Sequence, residues 1–160
     1  MISYEKIRQS FKTWNTTIAV LYILNAVLFL FSLLGGAINK IAMEQQPELY
    51  ASFDDATLEI LRQSTTPFSF FTFGLGLVVT ITIVVLAFIN RNKADKGLDK
   101  QISYTVYYLG IGWAISSIIL EFLMLGTLSS LSPVWLLLFG FFHIFTLRKA
   151  QILKERDDIN

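Results

Sequence analysis

The sequence contains no cysteine, so disulfides, thiolate metal sites and cysteine nucleophiles are excluded. It has a single histidine, His143, and it lacks the H-E-x-x-H and G-x-S-x-G patterns of metalloproteases and hydrolases. The sequence has no basic stripe interleaved with aromatic residues, which is the pattern that indicates a nucleic-acid surface. These absences predict a protein that is not an enzyme, holds no metal or other cofactor, and does not bind nucleic acid.

Charge is also scarce, because charged residues make up 16% of the 160 residues, against roughly 25% in soluble domains. Residues 16–38, 67–89 and 131–147 contain no formal charge, and residues 102–128 contain only Glu121. A helix needs about 20 apolar residues to cross the hydrocarbon core of a bilayer. The sequence therefore predicts an all-α integral membrane protein, a bundle of four transmembrane helices.

The chain is short enough for a single membrane domain, residues 1–160. We predict a first span at 16–38, a second at 67–90, a third at 102–128 and a fourth at 133–147. The remaining segments are an N-terminal segment 1–15, a loop 39–66, a loop 91–101, a turn 129–132 and a tail 148–160.

The basic residues predict the orientation. Eleven of the thirteen lysines and arginines fall in the N-terminal segment, the 91–101 loop and the tail, which a four-span topology puts on one side. Basic residues close to span ends are retained in the cytoplasm. Both termini are therefore predicted to be cytoplasmic, in a plasma membrane that we expect to be bacterial.

The N-terminal segment carries Tyr4, Ile7, Phe11 and Trp14 at heptad spacing, with charged residues on the opposite face. This pattern is typical of a short amphipathic helix in the membrane interface, where its apolar face can also bind a partner. The alternative is a plain helical extension of the first span.

The external loop 39–66 has five acidic and two basic residues, a net charge of −3. Ser52 followed by Asp55 resembles a capping box, which predicts a small external helix over about Asp54 to Gln63. Its acidic residues Asp54, Asp55 and Glu59 are candidates for binding a cation or a basic partner. The alternative is a solvated helix start, where acidic residues are common.

Small residues mark the faces on which membrane helices pack, and Gly76, Gly110, Ala114 and Gly140 are such positions. Counting about 1.5 Å per residue places Asn25, Thr80 and His143 close to the midplane, where they are predicted to form one polar layer.

Glu121 lies about two turns further toward the exterior than that polar layer. As an ionisable group in a span it is a candidate cation or proton site, or else a carboxyl hydrogen-bonded to a neighbouring helix. We interpret Asn25 and His143 mainly as groups that join helices.

These patterns favour a non-enzymatic accessory, regulatory or immunity-type subunit that binds another membrane protein, or itself as a homo-oligomer, within the lipid bilayer. The alternative is a small oligomeric transporter or channel that uses Glu121, and a membrane enzyme is third.

Overall fold

The computed structural model describes residues 4–157, which are helical with no strand. Residues 1–3 of the predicted N-terminal segment and residues 158–160 of the predicted tail lie outside the described part. The helices are α1 (Tyr4–Gln45), α2 (Asp55–Ser64), α3 (Pro67–Asp95), α4 (Thr105–Leu125) and α5 (Ser132–Asp157), with 3-10 turns at Pro47–Tyr50 and Asp99–Gln101. Four helices, α1, α3, α4 and α5, are long and apolar enough to cross a membrane, as in a multi-pass membrane protein.

The four long helices form an antiparallel bundle in which α1 packs on α3 and α5, and α4 packs on the same two helices. Antiparallel packing of α1 and α3 follows from the contacts of Lys12 with Asp95 and of Gly36 with Phe70. We call the end that holds residues 4–18, 90–107 and 146–157 the basic end. The opposite end, with residues 40–66 and 121–132, is called the acidic end.

The helix boundaries follow from local capping. Thr66 caps α3 by accepting a hydrogen bond from the backbone N–H of Ser69, and Pro67 fits the first helical position because its missing N–H has no partner there anyway. Helix α4 ends at Gly126, whose φ of 68° lies in the left-handed region that only glycine adopts at no steric cost.

The first helix differs from the prediction of a separate interfacial helix, because α1 runs without a break for 42 residues, about 63 Å. The alternative, an extension of the first span, is what the structure shows. Ile7 and Phe11 are buried inside the bundle, and so they do not form an exposed docking face. The reason is that α3 and α5 extend past their apolar segments at the basic end, and Tyr107 near the start of α4 contacts Phe11, so this stripe is covered.

The bundle is packed unevenly along its length. At the basic end all four long helices contribute fully buried side chains, among them Phe11, Ala94, Val106 and Leu153. At the acidic end α1 buries only Gly36 beyond residue 22, and α4 buries no residue beyond Ala114. The space between α1, α4 and α5 is therefore open in this half.

Candidate functional site

A cavity of about 280 Å³ lies between α1, α4 and α5 in the half of the bundle toward the acidic end. Aromatic and aliphatic side chains make up most of its wall, which is typical of cavities that bind small molecules. The residues that line it are Leu21, Tyr22, Leu24, Asn25, Leu28, Phe29, Trp113, Ala114, Ser117, Ile118, Glu121, Ser132, Trp135, Leu136 and Phe139.

Glu121 is the charged residue of this wall, and its carboxylate is held by the turn between α4 and α5. The backbone N–H of Ser129 donates to its Oε1 over 3.0 Å, and the hydroxyl of Ser132 donates to its Oε2. Glu121 thus fastens the start of α5 to the end of α4, as the second interpretation of this residue predicts. Each oxygen keeps a lone pair that can accept a further hydrogen bond.

Asn25 lies in the same wall, one turn beyond Tyr22 on α1. Within residues 4–157 its side-chain amide makes no hydrogen bond, although an amide has two donors and two acceptor positions. An amide without partners in apolar surroundings is costly, so this group is available to a ligand or to water.

At the inner end of the cavity lies Tyr22, which pairs with His143 behind the wall. The hydroxyl of Tyr22 and Nε2 of His143 are 2.9 Å apart, and both side chains are fully buried. The imidazole lies directly against Gly110, where an added Cβ would be 2.0 Å from Nε2. His143 therefore joins α1, α4 and α5, in line with its interpretation as a group that joins helices.

A second buried polar network lies closer to the basic end. The hydroxyl of Tyr107 donates to Oδ1 of Asn15 over 2.9 Å and accepts from Nδ2 of Asn90 over 3.2 Å. The same Asn90 amide also bonds both backbone groups of Ser103, at 2.7 and 2.9 Å. The network ties α1, α3 and α4 together with nearly every polar atom satisfied, which favours one defined packing.

Asn15 and Asn90 were missed by the sequence analysis because both lie at predicted span ends. A signal was present for Asn15: Phe11, Asn15, Ile18 and Tyr22 follow one another at spacings of four, three and four, so they share one helical face.

The predicted polar layer does not form as a hydrogen-bonded unit. Thr80 is fully buried and its hydroxyl has no partner within the described residues, while His143 pairs with Tyr22. Asn25 faces the cavity. No hydrogen bond joins Glu121 to His143, because each is held by a different neighbour.

At the basic end, Asp99 is buried and binds two side chains of α1. Nη2 of Arg8 is 2.6 Å from its Oδ2, and the hydroxyl of Tyr4 donates to the same oxygen. The hydrogen bond to Asp99 raises the pKa of Arg8 above its ordinary value. Nearby, Lys12 pairs with the half-exposed Asp95 and lowers the pKa of that carboxyl.

The remaining candidates for partner binding divide into two groups. Trp14, on α1, packs against the rings of Phe142 and Phe145 at centroid distances of 5.3 and 5.0 Å. Its ring therefore contacts α5 of the same chain and is not free for a partner.

Asp54, Asp55 and Glu59 are exposed on α2. Asp54 is the N-cap of this helix, and its hydrogen bond from the backbone N–H of Thr57 lowers its pKa.

Comparisons of the chain with protein-family models, with curated proteins and with solved structures find no match. The function is therefore inferred from the chain's own residues.

Proposed function

We propose that the four long helices cross the plasma membrane of a bacterium with the basic end in the cytoplasm. The support is the distribution of charge: the basic end carries eleven of the thirteen lysines and arginines, while the connection 46–66 is acidic. Exposed Leu, Val, Ile and Phe side chains cover the long helices, as a surface in contact with lipid requires.

The orientation can be tested with single cysteines, because the chain has no thiol of its own. Gln9 and Asn92 are exposed at the basic end, and Gln46 and Thr127 are exposed at the acidic end. In intact cells we expect a membrane-impermeant maleimide to label cysteines at Gln46 and Thr127 but not at Gln9 or Asn92. After permeabilisation all four should react, and labelling of Asn92 in intact cells would contradict the orientation.

Within this topology, we propose that the protein is a non-enzymatic accessory, regulatory or immunity-type subunit that binds another membrane protein through the connection 46–66. The observation that carries this proposal is the surface of that connection. Asp55 and Glu59 are exposed and form no ion pair within residues 4–157, and the large apolar side chains of Leu49, Phe53 and Ile60 are exposed in the same connection.

An exposed patch that combines apolar side chains with charges of one sign is typical of a protein interface. Its complement is a partner surface that is basic with apolar side chains between the charges. The N-terminal segment contributes less to this function than its sequence suggests, because Ile7, Phe11 and Trp14 pack within the bundle.

The proposed interface is tested by the double variant Asp55→Asn with Glu59→Gln. Asp54 is left in place because it caps α2. The partner is first identified by crosslinking in native membranes, and the purified pair is then titrated. We expect the double variant to weaken binding by roughly tenfold, since each charge pair at an interface contributes about 0.5–1 kcal/mol or more.

The matched control neutralises two exposed acidic residues at the other end, Glu5→Gln with Glu155→Gln, and should leave the affinity unchanged. Wild-type binding should also weaken as salt is raised, because exposed charges are screened. Equal affinity of the wild type and the α2 variant would refute this interface.

The transporter is the second candidate, and one observation favours it: Glu121 lines a cavity in the half toward the acidic end. Transport also requires a path through the basic end, where Phe11, Asn15 and Tyr107 are fully buried and Asn15 and Tyr107 hydrogen-bond. Because this structure is closed there, a transporter needs a second conformation in which that network separates, and we rank it below the interaction subunit.

A further inference from the structure

The cavity between α1, α4 and α5 has a volume of about 280 Å³, the size of a small organic molecule. A membrane bundle has no need of such a space for its own stability, because unfilled volume between helices loses packing contacts. The chemistry of the cavity wall therefore indicates which kind of ligand the cavity binds.

The wall of the cavity carries one formal charge without a counter-charge. Glu121 contributes a carboxylate, and no lysine, arginine or histidine lines the cavity. Among the described residues Glu121 forms no ion pair. A carboxylate at membrane depth is costly, and a bound cation offsets that cost.

The rest of the wall selects the kind of cation. Trp135 follows Ser132 by one turn of α5, and Ser132 bonds Glu121, so its ring belongs to the end of the cavity that holds the carboxylate. Aromatic faces attract cations, with tryptophan the strongest. The rings of Phe29, Trp113 and Phe139 lie deeper in the cavity and offer an apolar enclosure. An inorganic cation requires about six oxygen ligands or its own water shell, and residues 4–157 contain no group of three acidic or histidine side chains. An organic cation needs only one carboxylate and an apolar enclosure.

We propose that this cavity binds a small organic ammonium compound, with its charge beside Glu121 and its apolar body between Phe29, Trp113 and Phe139. Leu24 and Leu28 on α1 and Trp135 on α5 are exposed at the edge of the cavity. The ligand enters between these side chains, from the outer leaflet in the proposed orientation. Such binding requires neither a partner protein nor transport.

The test compares two compounds of the same shape, benzyltrimethylammonium and neopentylbenzene, in which a carbon replaces the charged nitrogen. The purified protein is placed in phosphatidylglycerol nanodiscs, and its tryptophan fluorescence is titrated. Two of the three tryptophans, Trp113 and Trp135, line the cavity, so the signal reports on it directly.

The wild type should bind the cation at least about tenfold more tightly than the neutral compound. Glu121→Gln should weaken binding of the cation by about tenfold and leave the neutral compound unchanged. The matched control Glu44→Gln, exposed at the end of α1 and outside the cavity wall, should leave both unchanged. Equal affinities for the two compounds in the wild type would overturn the proposal in favour of a cavity for apolar chains.

A second variant keeps the test decisive if Glu121→Gln does not fold. Ser117 lines the cavity, and its hydroxyl bonds only to the backbone oxygen of Ala114, so Ser117→Leu narrows the cavity without removing a contact between helices. This variant should weaken binding of both compounds. Unchanged cation binding by Ser117→Leu would show that the ligand binds elsewhere and would overturn the proposal.

The ammonium headgroup of phosphatidylethanolamine has the same chemistry, and nanodiscs that contain this lipid distinguish the two sources. If a soluble cation is the ligand, as proposed, the affinity for neopentylbenzene should be the same in both kinds of nanodisc. This neutral compound enters the same cavity but does not respond to the negative surface charge, which phosphatidylethanolamine dilutes. A loss of apparent affinity for both compounds that grows with the phosphatidylethanolamine content would assign the cavity to the lipid and overturn the soluble source.

Discussion

Gly110→Ala is expected to destabilise the folded bundle by about 3 kcal/mol, the upper end of the range for overpacking a buried position. The added Cβ would be 2.0 Å from Nε2 of His143 and 2.1 Å from its Cε1, far inside van der Waals contact. The imidazole cannot move aside cheaply, because it is fully buried and hydrogen-bonded to Tyr22. Unfolding in a titration with denaturing detergent measures the loss.

The control for this prediction is Gly112→Ala, two residues further along α4, where an added Cβ meets no atom within 4 Å. Alanine there should raise stability slightly, by up to about 1 kcal/mol, because it favours a helix over glycine. Combining Gly110→Ala with His143→Ala should recover part of the loss, since the two changes share one space. Equal stability of the two glycine variants would show that His143 does not lie against Gly110.

Arg8→Met is expected to cost about 3 kcal/mol, because it leaves the carboxylate of Asp99 buried without its counter-charge. Asp99 has no exposed surface, and the Arg8 guanidinium is its charged partner at 2.6 Å. Methionine keeps much of the apolar length of the arginine side chain, so the change mainly removes charge and hydrogen bonds. Thermal unfolding in detergent is a suitable measurement.

The comparison for Arg8→Met is Lys12→Met, which removes the partner of Asp95 one turn further along α1. Asp95 is 43% exposed, so water solvates its carboxylate and the loss should stay below about 1 kcal/mol. Adding Asp99→Asn to Arg8→Met should restore most of the stability, because a neutral amide needs no counter-charge. If both single variants lose the same stability, the Arg8–Asp99 pair contributes no more to folding than the exposed Lys12–Asp95 pair, which would contradict the prediction.

The long helices were predictable because their signal, uninterrupted apolar sequence, is set by the thickness of a bilayer. The ends of these helices were less predictable. The sequence predicts that the first span ends at residue 38, but α1 continues to Gln45, since a helix does not have to stop where its uncharged sequence stops. Similarly, α2 begins after Asp54 and not through a Ser52 cap, because Asp54 is the residue whose side chain reaches the N–H of Thr57.

The candidate site was only partly predictable. The sequence singled out Glu121 and its face, since a charge within an apolar run is visible without a structure. The cavity beside it depends on how far α1 lies from α4, a distance that no local pattern encodes. Likewise, the sequence does not show that Asn15 and Asn90 belong to one hydrogen-bond network. They are joined only in the folded bundle, where the hydroxyl of Tyr107 lies between them.

The dense packing of the basic end also has an electrical consequence. Charge crosses a membrane protein along continuous water, and the fully buried side chains of Phe11, Ile18, Tyr107 and Leu153 fill the space that such water would need. In the proposed membrane topology, a cell therefore holds many copies of this protein without short-circuiting its membrane potential, even while the opposite half stands open.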